Sequence, residues 1–254
     1  MTFGIKDILV FLILFFANLL QAITGFAGTL ISMPPTIKLI GVDEAKALLN
    51  AIAQISSFMI VITGWNRINW REFFKMFVFM VVGMAVGIKL FEIFPVQYLL
   101  TFYGIMIIVI ALKKLFIKKE IELPKFIMFV VVLVAGVIHG MFVSGGALLV
   151  IYATYALKDK EEFRATIALI WVTIGCYLTG IQVQSGNFNS HVIFLMLIGI
   201  IPVFVGTWIG TKLVKKIEQE VFMKITYVLL LLSGIMAILL KMGKAGYNYE
   251  REVK

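Results

Sequence analysis

Two stretches of the sequence combine glycines and polar side chains inside long apolar runs. The first reads QAITGFAGTLISM from Gln21, and the second reads HGMFVSGGALLVI from His139. Glycine adopts backbone angles that other residues rarely reach, and it lets a ligand or a second backbone approach closely. Each stretch therefore predicts an interruption at which one apolar helix ends and another begins.

Such an interruption offers the chemistry of an anion-binding site. The N–H groups in the first turn of a helix lack intrahelical partners, and the helix dipole adds partial positive charge there. Inside hydrocarbon these groups need an acceptor from the protein, from water or from a ligand. No Lys or Arg lies between Asp7 and Lys38 or between Lys125 and Lys158, so backbone and neutral side chains would bind the anion.

Polar side chains near the two interruptions complete the candidate site. The candidate substrate-binding residues are Gln21, Thr24, Gly25, Gly28, Asn50, Gln54, His139, Ser144, Gly145, Gly146, Thr166 and Thr173. The alternative is structural, because glycines let membrane helices pack closely and polar side chains form hydrogen bonds between helices. Lys46 and Arg164 are candidate vestibule cations, or else interfacial residues whose charged ends reach water. The tryptophans, Trp171 among them, are expected to be interfacial or packing residues.

Composition places these motifs in a membrane protein. Hydrophobic residues make up 61% of the 254-residue chain and charged residues 15%, whereas soluble domains carry about 25% charged residues. Several apolar runs exceed the roughly 20 residues that cross a hydrocarbon core. The sequence predicts an all-α integral protein of the cell membrane with several passes. The first apolar run is long and lacks a clear small-x-small cleavage site, which favours a retained helix over a signal peptide.

The two halves of the chain resemble each other. An offset of 118 residues places Gln21 on His139 and Lys46 on Arg164, and a later offset of about 123 places Gly87 on Gly210. Weakly similar halves are typical of secondary transporters. Gly87 and Gly210 are expected to be close contacts between helices. His139 is also a candidate proton carrier, although its repeat equivalent, Gln21, cannot carry a proton.

Each half is predicted to form five apolar helical segments. The first repeat, 1–112, has segments at about 5–23, 27–40, 45–64, 71–92 and 96–113. The second repeat, 126–241, has segments at about 126–140, 146–157, 161–181, 190–212 and 220–240. A basic linker, 113–125, separates the repeats, and 242–254 forms a polar tail. The second segment of each half is too short to cross a core of about 30 Å upright. An odd number of segments per half predicts inverted repeats.

The basic residues lie at the ends of the apolar segments, as expected for membrane topology. The net charge of +9 therefore does not predict a nucleic-acid partner. A cytoplasmic linker would place the basic loops at 66–71, 158–164 and 212–216 inside. The loop at 179–191, which has no Lys or Arg, would then lie outside together with both termini. The basic tail opposes this orientation.

Several other chemistries find no support in the sequence. Cys176 is the one cysteine, which excludes an internal disulfide and a cysteine metal cluster. The two histidines, His139 and His191, lie on different segments, and no acidic pair lies within an apolar segment. We therefore expect no catalytic residue, no metal site and no cofactor. No GxxxxGK[ST] motif is present, so a proton gradient, a sodium gradient or a partner outside this chain would supply energy. The oligomeric state stays open.

The two motifs resemble those of the sulfite exporter TauE/SafE family. ITGFAGTLISMP at 23–34 is similar to the first family motif, and HGMFVSGGALLVIYA at 139–153, followed by FRATIALIW at 163–171, is similar to the second. The resemblance implies a lipid-embedded exporter of small sulfur-containing anions such as sulfite, sulfoacetate or related organosulfonates. The chain departs from the family pattern at Ala27, where many members have a third glycine, and at GGAL, where Gly-Pro is common. The resemblance therefore does not fix the ion.

Secondary transport of a small anion is the leading hypothesis. The alternatives are an accessory or scaffolding membrane protein, an anion channel and a membrane enzyme. Substrate counterflow in proteoliposomes distinguishes a transporter from a scaffold, and currents far above carrier turnover would indicate a channel.

The charge distribution generates a topological prediction. Single cysteines introduced on a Cys176-free background should be labelled from outside at 182–189 and from inside at 113–125. The reverse pattern would overturn the orientation but leave inverted repeats intact. Five helices running in the same direction in both halves would instead contradict the repeat.

Overall fold

The computed structural model describes residues 4–91, 124–142 and 145–242, together with isolated positions between 105 and 116. The helices are α1 (Ile5–Thr24), α2 (Ala27–Ile40), α3 (Val42–Gly64), α4 (Trp70–Phe91), α5 (Lys125–Phe142), α6 (Gly146–Ala156), α7 (Lys160–Gln184), α8 (Ser190–Lys216) and α9 (Gln219–Met242). A short 3-10 helix, Trp65–Arg67, joins α3 to α4. The described part of the chain contains no strand, which confirms the all-α prediction.

Nine of the ten predicted segments coincide with a helix to within a few residues. Most of the tenth segment, 96–113, lies outside the described residues. The same is true of most of the linker, of nearly all of the tail and of Ser144.

Five helices are long and apolar enough to cross a membrane, counted over the described ranges. They are α1, α3, α4, α7 and α8. Their outer faces carry large apolar side chains, and Phe16, Phe74 and Ile201 each expose more than half of their surface. Such faces suit hydrocarbon rather than water. The chain is therefore a multi-pass membrane protein. The helices α2 and α6 are shorter, with 14 and 11 residues.

Glycines bring the outer helices together in two parallel pairs. On α8, a Cβ added at Gly206 would lie 2.6 Å from Phe15 O, and one at Gly210 would lie 2.6 Å from Leu19 O of α1. On α4, Gly83 and Gly87 face α5 in the same way. Their added Cβ atoms would overlap the carbonyl oxygens of Leu133 and Val137 respectively. The prediction that Gly87 and Gly210 are close helix contacts is confirmed.

The centre of the molecule is an antiparallel pair, α3 and α7. Asn50 near the start of α3 contacts Gln182 near the end of α7, whereas Gly64 at the end of α3 faces Ala165 near the start of α7. Four other pairs lie around this centre: α1 packs on α2 and α8, and α5 packs on α6 and α4. If α1–α4 are exchanged for α5–α8 in order, the α1–α2 pair becomes α5–α6 and the α1–α8 pair becomes α5–α4. The central α3–α7 pair maps onto itself.

The glycine contacts generate a stability prediction. Gly83→Ala and Gly206→Ala should each lower the free energy of unfolding by about 1–3 kcal/mol, because the new methyl group meets backbone that cannot move aside. The matched control is Gly180→Ala on α7, where an added Cβ has nothing within 4 Å. The control should be neutral or slightly more stable, since alanine favours a helix over glycine. Thermal unfolding in detergent measures the difference, and equal losses in all three variants would contradict the glycine-mediated packing.

Candidate functional site

The backbone turns sharply at Gly25. Helix α1 ends at Thr24, and Gly25 adopts a left-handed conformation with φ of 84° while its N–H donates to Gln21 O at 2.6 Å. Glycine takes this conformation without the steric cost that a Cβ would add. Helix α2 begins two residues later, at Ala27, and returns along α1. The site is built around this turn.

Side chains of α1 accept hydrogen bonds from the first N–H groups of α2. Thr24 Oγ1 accepts from Phe26 N at 3.4 Å and from Ala27 N at 3.2 Å, and Gln21 Oε1 accepts from Gly28 N at 2.9 Å. Thr24 is fully buried. These contacts correct the expectation that Thr24 and the first N–H groups are open to a ligand. In this conformation they satisfy each other, as a helix start inside a membrane requires.

Two side chains donate to the carbonyl of Gly25. Trp171 Nε1 on α7 donates to Gly25 O at 2.8 Å, and Gln21 Nε2 donates to the same oxygen at 3.2 Å. Trp171 packs against the hydrophobic core, as expected, and its hydrogen bond gives it a further role. It connects α7 to the turn between α1 and α2.

The second interruption lies between Phe142, where α5 ends, and Gly146, where α6 begins. A Cβ added at Gly145 would lie 2.7 Å from His139 Cβ. At the first interruption, a Cβ added at Gly28 would lie 2.8 Å from Gln21 Cβ. Gln21 and His139 thus occupy comparable places. Each lies against a glycine near the start of the following helix, Gly28 in the first turn of α2 and Gly145 just before α6.

A cavity of about 40 Å³ lies where the two interruptions meet α3 and α7. A cavity needs roughly 10–15 Å³ on this scale to hold one water molecule, so this one has room for a few waters or for one small polyatomic ion. It is lined by Gln21, Phe26, Thr29, Leu30, Asn50, Ala53, Gln54, His139, Gly146, Trp171 and Gly175. Five predicted site residues are therefore brought together: Gln21, Asn50, Gln54, His139 and Gly146.

Amide side chains form one wall of the cavity. Asn50 Nδ2 donates to Thr179 Oγ1 at 3.0 Å and to Gln182 Oε1 at 2.9 Å. Gln54 Nε2 also donates to Thr179 Oγ1. Thr179 and Gln182 did not figure among the sequence candidates. Their spacing of three residues on an apolar helix, which puts both on one face, is the signal that would have found them.

A second cavity of about 10 Å³ adjoins the first and has room for one water molecule. Asn18 and Ser32 line it, and it shares Gln21, Thr29 and Ala53 with the larger cavity. The Gln21 side chain therefore lies between the two spaces, which together form a polar seam along α1, α2 and α3.

The sequence matches the family model described as sulfite exporter TauE/SafE over residues 10–237. The chain belongs to this family. Family membership identifies a membrane transporter within a group that exports sulfite and related sulfur compounds. The comparisons with curated proteins and with solved structures gave no match. The matched range includes all the residues that line both cavities of this TauE/SafE protein.

Two candidate residues lie away from the cavity of the TauE/SafE protein. Thr166 Oγ1 accepts from Asn69 N at 3.0 Å, and Asn69 in turn caps the start of α4, since its Oδ1 accepts from Glu72 N at 3.0 Å. Thr173 Oγ1 donates to Leu169 O and Ile170 O of its own helix, at 2.9 Å each. Neither residue lines the cavity, and both contacts are structural.

The two expected vestibule cations of the TauE/SafE protein differ in their surroundings. Lys46 is partly buried, one turn before Asn50 on α3. Arg164 is only 2% exposed, so its assignment to an open vestibule is wrong. Its Nε donates to Ala22 O, its Nη1 to Glu161 Oε2 at 3.0 Å, and its Nη2 to Thr211 Oγ1 at 2.7 Å. Arg164 therefore ties the last turn of α1 to α7 and α8.

The buried network of Arg164 generates a prediction. Arg164→Gln should lower the free energy of unfolding by about 3–5 kcal/mol, because it leaves Glu161 without its cation and removes three donors. The control is Lys224→Gln, since Lys224 pairs with Glu220 at 2.8 Å on the surface, with both side chains more than half exposed. That change should cost less than about 1 kcal/mol. Chemical unfolding in detergent measures both. Similar costs would show that Arg164 does not hold the end of α1.

Proposed function

We propose that this protein is a secondary transporter of the cell membrane that exports a small sulfur-containing anion, such as sulfite, sulfoacetate or a related organosulfonate. The observation that carries the proposal is the cavity at the meeting point of the two helix interruptions. The first turn of α2 and Gly146 at the start of α6 both line it. Substrate sites of secondary transporters commonly lie between repeats, at discontinuous helices.

The helix pairing supports inverted repeats. Helices α3 and α7, which are equivalent under the sequence offset, run antiparallel at the centre. The close contacts of the outer pairs are equivalent as well. Gly206 against Phe15 corresponds to Gly83 against Leu133 under the same offsets of 123 and 118 that align the two sequences.

The cavity suits an anion because its polar atoms include several amide donors. The donor groups of Gln21, Asn50 and Gln54 are bonded to acceptors within the protein: Gly25 O, Thr179 Oγ1 and Gln182 Oε1. An anion would exchange these neutral acceptors for a charged one, and hydrogen bonds to a charged partner are stronger. The positive ends of the α2 and α6 dipoles add to the attraction. Gln21, Asn50, Gln54, His139 and Gly146 are thus the proposed binding residues.

Alternating access would follow from this arrangement if the parallel outer pairs move against the central α3–α7 pair. Gly25 and the glycines at 145 and 146 lie where the backbone must change direction. The same proposal includes three further points. Transport is outward, residues 113–125 are cytoplasmic, and a proton or sodium gradient supplies energy.

Counterflow tests the proposal. Proteoliposomes loaded with unlabelled sulfite should take up labelled external sulfite transiently above equilibrium, in a mildly alkaline buffer where sulfite is charged. An accessory or scaffolding protein would give no counterflow, and a channel would give uptake without the transient excess. Either result would contradict the proposal.

A charge placed in the cavity tests the site. Gln54→Glu keeps the size of the side chain but adds a negative charge. At about 4–5 Å and an effective dielectric near 20, repulsion of the anion is about 3–4 kcal/mol, which corresponds to an affinity loss of at least about a hundredfold. The control is Gln184→Glu at the exposed end of α7, which should leave the affinity near that of the wild type. Sulfite binding to purified protein measures both, and equal affinities would place the site elsewhere.

A further inference from the structure

His139 is an ionisable side chain buried beside the cavity. It is 6% exposed, and its Nδ1 has no hydrogen-bond partner among the described residues. Buried polar atoms in proteins are nearly always paired. An unpaired ring nitrogen at the edge of a cavity therefore points to something that occupies it during function, either a ligand atom or a proton.

Trp171 provides a surface on which a charged imidazole would be stable. The ring centroids of His139 and Trp171 are 5.3 Å apart, and the ring planes are inclined by 32°. An aromatic face attracts a cation whose charge lies within about 6 Å of its centroid. The indole is also held in place, because its Nε1 donates to Gly25 O. A protonated His139 would thus find a fixed aromatic partner.

His139 is the ionisable group among the residues that line the cavity. The nearest ionisable residues along each surrounding helix lie outside that lining; they are Asp7 on α1, Lys38 on α2, Lys46 on α3, Lys89 on α4, Tyr152 on α6, and Arg164, Cys176 and Tyr177 on α7. Arg164 is bonded to Ala22 O, and the Tyr152 hydroxyl donates to Glu72. Lys89, Cys176 and Tyr177 are exposed.

An anion in the cavity would therefore lack a full fixed countercharge. Burying an unpaired charge at low dielectric is costly, and a helix dipole supplies only about half a charge. A proton on the imidazole supplies a full positive charge. We infer that His139 binds a proton together with the anion, so that a monovalent anion and the proton are transported as a neutral pair. This inference rests on the proposed function, since it takes the cavity as the substrate site.

Linkage fixes the direction of the coupling. If the bound anion favours the protonated imidazole, the proton must favour anion binding by the same factor. The site then loads from the more acidic compartment and releases into the more alkaline one. Export of such a pair therefore runs down the outward gradient of the anion itself, or toward a medium more alkaline than the cytoplasm. A gradient of one pH unit, at zero membrane potential, should drive about a tenfold accumulation of the anion.

Transport by wild type and His139→Gln tests the coupling. Glutamine is neutral, forms hydrogen bonds and occupies the equivalent place at the first interruption. Wild type should show sulfite counterflow at equal pH on the two sides, and His139→Gln should show it at a reduced rate, because the bound anion has lost its countercharge. In the mildly alkaline range, with the potential clamped at zero, wild type should accumulate labelled sulfite on the alkaline side beyond protein-free vesicles. Accumulation should continue until the monovalent form, hydrogensulfite, is about tenfold more concentrated there per pH unit. The variant should show no accumulation above that background.

The outcomes separate the two proposals. Absence of counterflow in wild type would overturn the proposed function and this inference with it. If wild type shows counterflow but does not accumulate sulfite in response to a pH gradient, this inference alone is overturned. This inference is also overturned if a pH gradient makes His139→Gln accumulate as much sulfite as wild type.

A second measurement does not depend on the folding of that variant. The chain has two histidines, so an untagged His191→Gln protein labelled with ¹⁵N-histidine reports on His139 alone. At mildly alkaline pH, addition of sulfite should shift the imidazole nitrogen signals from the neutral to the protonated position. Signals that stay neutral while sulfite binds would contradict the inference.

Discussion

The backbone polar groups at Gly25 must be satisfied inside the membrane, and the rest of the site depends on how this is achieved. In hydrocarbon each unpaired N–H or C=O costs several kcal/mol. Thr24 and Gln21 accept from the first N–H groups of α2, while Trp171 and Gln21 donate to the Gly25 carbonyl. The turn is therefore stable only with a Trp from α7 and a Gln from α1 in place. The same two side chains form part of the cavity wall.

This constraint connects the two halves of the molecule. Trp171 and Arg164, both on α7, bind carbonyl groups at the end of α1 and at the turn that follows it. On the other side, α3 contacts α7 through Asn50 and Gln54. Movement of the α1–α2 pair away from α7 would have to exchange these bonds for others. An anion that accepts a hydrogen bond from the Gln21 amide would remove this donor from the Gly25 carbonyl. Anion binding would thereby weaken the hydrogen bonding of the turn.

The sequence predicted the elements well because hydrophobic periodicity and glycine content are local properties. The interruption at Gly25 and the close contacts of Gly87 and Gly210 follow from such local signals. The equivalence of Gln21 and His139 came from the internal repeat. The partners of the turn were not predictable in this way, because Trp171 lies 146 residues from Gly25 in the chain. The surroundings of Arg164 were not predictable for a related reason. A cation near the end of an apolar helix is usually interfacial, and only the fold shows that Ala22 O of α1 and Thr211 of α8 accept from its guanidinium.

The central claim is that the cavity between the two interruptions binds the substrate anion. Selenite is a heavier pyramidal analogue of sulfite, and its selenium can be located by anomalous X-ray scattering. A crystal structure with selenite should show an anomalous peak within hydrogen-bonding reach of the Gln54 and Gln21 amides and next to His139. Selenite bound only outside the α3–α7 centre, with the cavity free of anomalous signal, would contradict the claim.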